Sequence, residues 1–418
     1  MGMRGPGLTV KAGAIAATSV LGFAPAAAAA PAERTLAAPA APAAPAAPLA
    51  PECNKQQGQP ASAITVEPWA QQRLDFEQAW KVTRGKGVTV AVVDSGIETN
   101  HPQLKGKVAK SHDLTKTTAT DCYGHGTQVA GIIAATDMRR QNVPFVGVAP
   151  QVALLNAKFT TGQSTNDNTL LPKAITWAAE NGADVINVSV DAPDTADLRE
   201  AVQKAQKLDV LIVASAGNVA KDQKGNETAS YPASYEGVLS VAAVDESGSL
   251  SNFSNSKTRI DVSAPGQNVI STLGTGYIGG LQGTSFGAPY AAGVAALVRA
   301  RFPKLTYQQV INRVLITAEG GIGVGSGHGM ISPLQAVTAV LDPNAEPSEQ
   351  KAVNTSTGVV DIARPAPVDH RTRGIGVAVA GGAVVLALLV AFLGAVVPLG
   401  RKRGWKPGRA AVPTGDRD

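Results

Sequence analysis

Across the middle of the chain, short runs of β-branched and aliphatic residues alternate with longer stretches whose apolar positions recur every three or four residues. Residues 88–93, Val-Thr-Val-Ala-Val-Val, are too short for a core helix and are preceded by Gly85 and Gly87, so they predict a strand buried on both faces. Runs of the same kind predict strands at 152–158, 185–189 and 210–215, with shorter candidates at 238–244, 261–263 and 268–271. Helical spacing predicts a helix over 69–80, with Trp69, Leu74, Phe76, Ala79 and Trp80 as its apolar residues, and others over 128–135, 170–181 and 197–207. An Ala-rich run from Tyr290 and a last helix ending near Leu341 complete the pattern. Strands alternating with helices imply a central, mostly parallel sheet covered by helices, a three-layer α/β domain over 69–341. Sites in such sheets form at the carboxyl ends of strands, and Asp94 and Asn218 both stand at such ends.

The two ends of the chain have a different pattern. Residues 1–30 open with Arg4 and Lys11, continue through an apolar run and reach small residues at Ala26 to Ala30, the three regions of a secretory signal peptide. Residues 31–68 are an Ala/Pro-rich spacer followed by a short polar extension that carries Cys53. Residues 342–373 are rich in Pro, Ser, Thr and charge without periodicity, and are expected to be a linker. Residues 374–400 carry no charge. At about 1.5 Å per residue they would span roughly 40 Å, enough for a transmembrane helix. Arg401, Lys402, Arg403, Lys406 and Arg409 follow it, which predicts a cytoplasmic tail over 401–418 and the domain over 69–341 outside the cell membrane.

Charge changes the picture only after it is divided by region. The first thirty residues carry +2 and the stretch after Leu399 carries +4, so of the formal +5 the part between retains −1. The basic balance belongs to targeting and anchoring segments, and no nucleic-acid partner is implied. With 44% hydrophobic residues the chain can bury a large core. Its two cysteines, Cys53 and Cys122, are too few for a disulfide scaffold and form no Cys/His cluster, so one bridge is expected in an exported chain and no metal or cofactor is called for.

The chemistry is concentrated in four short motifs. Gly283-Thr-Ser-Phe-Gly-Ala-Pro289 leads into the Ala-rich helix, so Ser285 lies on a turn at a helix start, where the positive end of the helix dipole favours an oxyanion. A serine hydroxyl is a weak nucleophile at neutral pH and needs a histidine base with a carboxylate to orient it. Gly124-His125-Gly126-Thr127 opens a helical stretch, with Thr127 able to cap it, and Asp94-Ser-Gly ends the first strand. Asn218, after Ser-Ala-Gly, is the kind of side-chain amide that stabilises a tetrahedral oxyanion. The order Asp, His, Ser is the one found in subtilisin.

With these motifs the sequence resembles the subtilisin-like serine peptidases from about Trp69 to Leu341. Further blocks carry the likeness: His101-Pro-Gln-Leu, Ile186-Asn-Val-Ser189, Ser230-Tyr-Pro-Ala233, Val241-Ala-Ala-Val-Asp245 and Ser263-Ala-Pro-Gly266. The resemblance implies Ser285 as nucleophile, His125 as base, Asp94 as its orienting carboxylate and Asn218 with the Ser285 amide as oxyanion donors. It also implies that Ser189-Val190 and Ala216-Gly217 border a cleft in which an extended peptide pairs as an added strand. Asp191-Ala192 departs from the pattern, standing where many members carry small glycines, so an expectation of bulky side chains in the neighbouring subsites does not carry over.

Within that family the layout is similar to the mycosins, membrane-anchored proteases of type VII secretion in actinobacteria. The likeness rests on the signal peptide, the cysteine-bearing extension, Glu67-Pro-Trp-Ala-Gln-Gln-Arg-Leu74, Asp121-Cys-Tyr-Gly-His-Gly-Thr127 and one C-terminal span. It implies protein or peptide substrates outside the cytoplasm and a secretion membrane complex as partner, either with proteolysis as the main task or with the domain chiefly stabilising that complex. A Cys53–Cys122 bridge would then pin the extension near the active site and stabilise it by about 2 to 4 kcal/mol.

Overall fold

The computed structural model describes residues 58–162, 167–219, 227–320, 325–348, 370–404 and 408, with the backbone alone over 370–379. The expected signal peptide, most of the spacer with Cys53, most of the linker and most of the C-terminal tail lie outside these residues.

The apolar runs form β1 (Thr89–Asp94), β3 (Ala153–Lys158), β4 (Val185–Val188), β5 (Leu211–Ser215), β6 (Val238–Val244) and β7 (Val262–Pro265). With β2 (Val108–Asp113), β10 (Glu319–Gly320) and β11 (Gly329–Met330) they make a nine-stranded sheet in the order β10-β11-β7-β6-β5-β4-β1-β3-β2, parallel except for the β10–β11 pair. Alternate residues of one strand feed both faces. Val90 and Val92 pack with the helices α3 (His125–Ala134) and α6 (Thr284–Arg301), while Ala91 and Val93 pack with α4 (Leu170–Glu180) and α5 (Ala196–Lys207). Burial on both sides explains why the strands read as continuous apolar runs. The order places β3 on one side of β1 and β4 on the other, so the connection reverses at β1. A crevice is expected outside the carboxyl ends there.

The segment expected as one helix over 69–80 is two, α1 (Trp69–Leu74) and α2 (Phe76–Ala79), because Asp75 between them is left-handed at φ 40° and ψ 42°. An aspartate tolerates that conformation, and the break lets both Leu74 and Phe76 face the core. The candidate strand at 268–271 is β8 (Val269–Leu273), outside the main sheet, in an antiparallel pair with β9 (Gly276–Leu281). Neither β2 nor β9 follows from the apolar pattern: β2 is an edge strand with an exposed centre, and β9 carries three glycines. Two helices, α7 (Tyr307–Ile316) and α8 (Pro333–Thr338), precede the expected end near Leu341. The C-terminal helix α9 (His370–Lys402) starts earlier than the uncharged run that predicts it. Its stretch Ala380–Lys402 is long and apolar enough to cross a membrane, with mean hydropathy 2.6 and outward-facing Val, Leu and Phe side chains.

Candidate active site

Asp94 ends β1 with only 1% of its surface exposed. Its Oδ1 accepts the Ser95 N–H at 2.7 Å, and its two oxygens lie 2.8 and 2.9 Å from Nδ1 of His125. A carboxylate there favours the tautomer with the proton on Nδ1, which leaves Nε2 to the cleft. Burial of the ring disfavours the imidazolium, but the charge and hydrogen bond of Asp94 outweigh it and raise the His125 pKa above the usual value. The approach of α3 to β1 depends on Gly126, where a Cβ would overlap the Gly96 carbonyl oxygen.

A residue without an assigned role in the sequence reading holds this corner together. Asp121 is buried, and its Oδ1 accepts from Ser95 Oγ at 2.9 Å and from the N–H groups of Tyr123 and Gly124 at 3.1 and 2.7 Å. Its Oδ2 accepts from the Thr127 N–H at 2.8 Å and the Thr127 Oγ1 at 2.7 Å. Burial pushes its pKa up, opposed by these donors. Asp121 thus does for α3 what an N-cap side chain does elsewhere, satisfying free amides at the helix start. Thr127 is not the cap: it lies inside α3, donates to Asp121 and accepts the Glu98 N–H at 2.9 Å. The local signal was an aspartate four residues before a glycine-flanked helix start, legible only once α3 is known to begin at His125.

Gly283 supplies the turn before α6. Its φ of 151° and ψ of 151° suit glycine, and its N–H bonds to Gly266 O at 2.9 Å. Ser285, the second residue of α6, is partly exposed and shares with Asp94, His125 and Asn218 one cleft of about 570 Å³. No hydrogen bond joins its hydroxyl to the imidazole in this structure, in which the His125 ring packs 5.4 Å from that of Phe286. Such contacts commonly tighten only when substrate binds. Asn218 spends Oδ1 on the N–H and hydroxyl of Thr284, at 3.1 and 3.3 Å, which leaves Nδ2 as its free donor. The point where a Cβ on Gly283 would stand lies 3.0 Å from Ser285 Oγ and 3.6 Å from Asn218 Nδ2. Serine and amide therefore border the same point of the cleft.

Of the expected cleft walls, Ser189 and Val190 line the cavity. Ala216 and Gly217 are buried between the lining residues Ser215 and Asn218. Their Ala216 N–H and Gly217 carbonyl are already bonded, to Val241 O and to the Asn255 N–H, both at 2.9 Å. The opposite side is formed by Ile278, Gly280, Leu281 and Gln282, with Gly58 of the extension beside them. Ala61 and Tyr277 exchange backbone hydrogen bonds of 2.7 and 2.9 Å, so the extension is laid along β9. Cys122 precedes His125 by three residues, while Cys53 lies outside the described residues. Among the described residues no group of three His, Cys, Asp or Glu side chains could hold a metal ion.

A parallel α/β sheet with a buried carboxylate–imidazole pair, a helix-start serine and an aimed amide in one crevice suits acyl transfer. Residues 85–358 match the Subtilase family, Peptidase_S8. Subtilisin DY of Bacillus licheniformis is 37% identical over 251 residues, 60% of this chain and 90% of that protein. Mycosin-4 of Mycobacterium tuberculosis is 32% identical over 407 residues, 86% of this chain and 87% of that protein. Among solved structures, MycP1 from the ESX-1 type VII secretion system is similar with a TM-score of 0.62 at 28% identity, covering 71% of this chain and 93% of the other. The chain belongs to the subtilase family and is a serine endopeptidase.

Proposed function

We propose that this chain is a membrane-anchored peptidase working outside the cytoplasm on secreted substrates of a type VII secretion system. The observation that carries the chemistry is the Asp94–His125 pair opening on the cleft shared with Ser285 and Asn218. Ser285 Oγ attacks the scissile carbonyl carbon while His125 Nε2 takes its proton, and the tetrahedral oxyanion is held by Asn218 Nδ2 and the Ser285 N–H. His125 returns the proton to the leaving amine, and water releases the acyl group by the same steps in reverse. Asp94 keeps the proton on Nδ1 and stabilises the imidazolium. The substrate lies extended along Ser189-Val190.

The setting is supported by similarity to Mycosin-4 over most of the chain, by the apolar helix Ala380–Lys402 and by the basic residues after it. In this reading residues 1–30 direct export, 31–68 are the spacer and cysteine-bearing extension, 342–373 are the linker, 374–400 span the membrane and 401–418 stay inside. Protease added to intact spheroplasts should digest an epitope in the catalytic domain and spare one placed after Asp418; the opposite pattern would overturn the topology. The reading includes a Cys53–Cys122 bridge, supported by a Cys122 that carries no free thiol and by a sequence with two cysteines. Mass spectrometry of a non-reduced digest should recover the two linked peptides, and two free thiols in exported protein would exclude the bridge.

A further inference from the structure

Asp191 follows the wall residues Ser189 and Val190, and its side chain reaches to the segments that carry Asn218 and Ser230. Oδ1 accepts from Ser230 Oγ at 2.8 Å, Oδ2 lies 3.4 Å from the backbone nitrogen of Asn218, and a Cβ on Gly217 would stand 2.9 Å from Oδ1. Ala192 and Tyr231 exchange backbone hydrogen bonds of 3.0 and 3.2 Å, which brings the segment carrying Ser230 against the same corner. Three chain segments therefore meet around one carboxylate, on the cleft that holds Ser285 and His125.

That carboxylate has no cationic partner among the described residues: it enters no ion pair, and no lysine or arginine lines the cleft. One hydroxyl and one long amide contact compensate a full charge poorly, and crowding by protein atoms already pushes its pKa up. In the free protein the residue as a whole is still exposed at the edge of the cleft, so water reaches the crowded carboxyl. A bound peptide would remove that water. An apolar substrate side chain would then leave a desolvated charge, whereas a cationic one would pair with it.

The geometry also selects the substrate position. The scissile carbonyl must sit between Ser285 Oγ and Asn218 Nδ2, and the side chain just before it leaves the adjacent Cα. That side chain enters the space flanked by 189–191 and 216–218, where Asp191 touches the backbone of Asn218 itself. Asp191 also borders a second cavity of about 250 Å³ with Phe159, Leu171 and Leu198, but both its oxygens have their partners on the side of Asn218 and Ser230. Resting on the peptidase reading above, we propose that Asp191 is a specificity residue that selects lysine or arginine immediately before the scissile bond.

Full-length protein in detergent should cleave peptides differing only at that position with kcat/KM for arginine or lysine at least about tenfold above that for norleucine. Asp191→Asn should bring the ratio to about one, and Asp191→Lys should move the preference to glutamate, a reversal that mere loss of packing would not produce. A second arm does not depend on turnover. Product-like peptides ending in arginine or norleucine, titrated calorimetrically into the Ser285→Ala protein, should differ in affinity about tenfold in favour of arginine, and equally in a Ser285→Ala/Asp191→Asn pair should not differ. A native ratio near one, a ratio unchanged in Asp191→Asn, or equal affinities in the binding arm would overturn the assignment. Absence of cleavage of every peptide would instead count against the peptidase reading, and the binding arm would still decide the role of Asp191.

Discussion

Ser285→Ala is expected to lower kcat on a peptide substrate by roughly 10⁵ to 10⁶ fold while leaving the fold and thermal stability essentially native. The change removes the proposed nucleophilic atom and little else, because Ser285 is partly exposed at the start of α6 and its hydroxyl holds no hydrogen bond to another described residue. What remains should be the contribution of the oxyanion donors and of substrate positioning. Initial rates with a fluorogenic peptide, together with a melting curve, measure both parts. A variant that kept more than about one hundredth of the native rate would remove Ser285 from the nucleophile's place.

Asp94→Asn should be the second most damaging change, lowering kcat by about 10⁴ fold. The asparagine is close to isosteric, but its amide can present a donor to Nδ1 and so favour the proton on Nε2, the nitrogen that accepts from Ser285 in the proposed mechanism. The variant should also reveal the charge effect in its pH profile. The proposed mechanism needs neutral His125, whose pKa is raised above its ordinary 6.5 because Asp94 outweighs the effect of burial. The acid limb of native kcat/KM should therefore have its midpoint above 6.5, and in Asp94→Asn, where burial acts without the opposing charge, it should move to lower pH. For stability the sign is opposite to that for activity. A folded pKa above the unfolded one stabilises the fold fully below about 6.5, and this contribution is lost as pH rises through the folded value. An acid limb that stayed in place in the variant would show that Asp94 does not set the titration.

How much of this was legible differs by element. The strands β1, β3, β4 and β5 were visible because each is covered by helices on both sides and so reads as an unbroken apolar run, and β6 because all its residues are buried. The edge strand β2 has an exposed centre and the paired β9 is glycine-rich, so neither carries a periodic signal. The residues Asp94, His125, Asn218 and Ser285 were legible because each sits in a short motif of small residues at a strand end or helix start, a local constraint written locally.

Sequence alone determined the α/β class, the family blocks, the chemical residue types of the site and the apolar C-terminal run, because strand burial, helix-start chemistry and membrane length are properties of contiguous residues. Tertiary structure decided the rest. It broke the first helix at Asp75, turned Oδ1 of Asn218 to Thr284 so that its amide is left as a donor on the cleft shared with Ser285, and gathered five donors from Ser95 to Thr127 around Asp121. It also set the Asp191 carboxylate against the backbone of Asn218, 27 residues away in sequence. The contacts of Asn218 with Thr284, of Ser95 with Asp121 and of Asp191 with Asn218 join segments that meet only when the sheet is assembled, and a one-dimensional pattern of apolar and polar positions carries no record of which distant donor meets which acceptor.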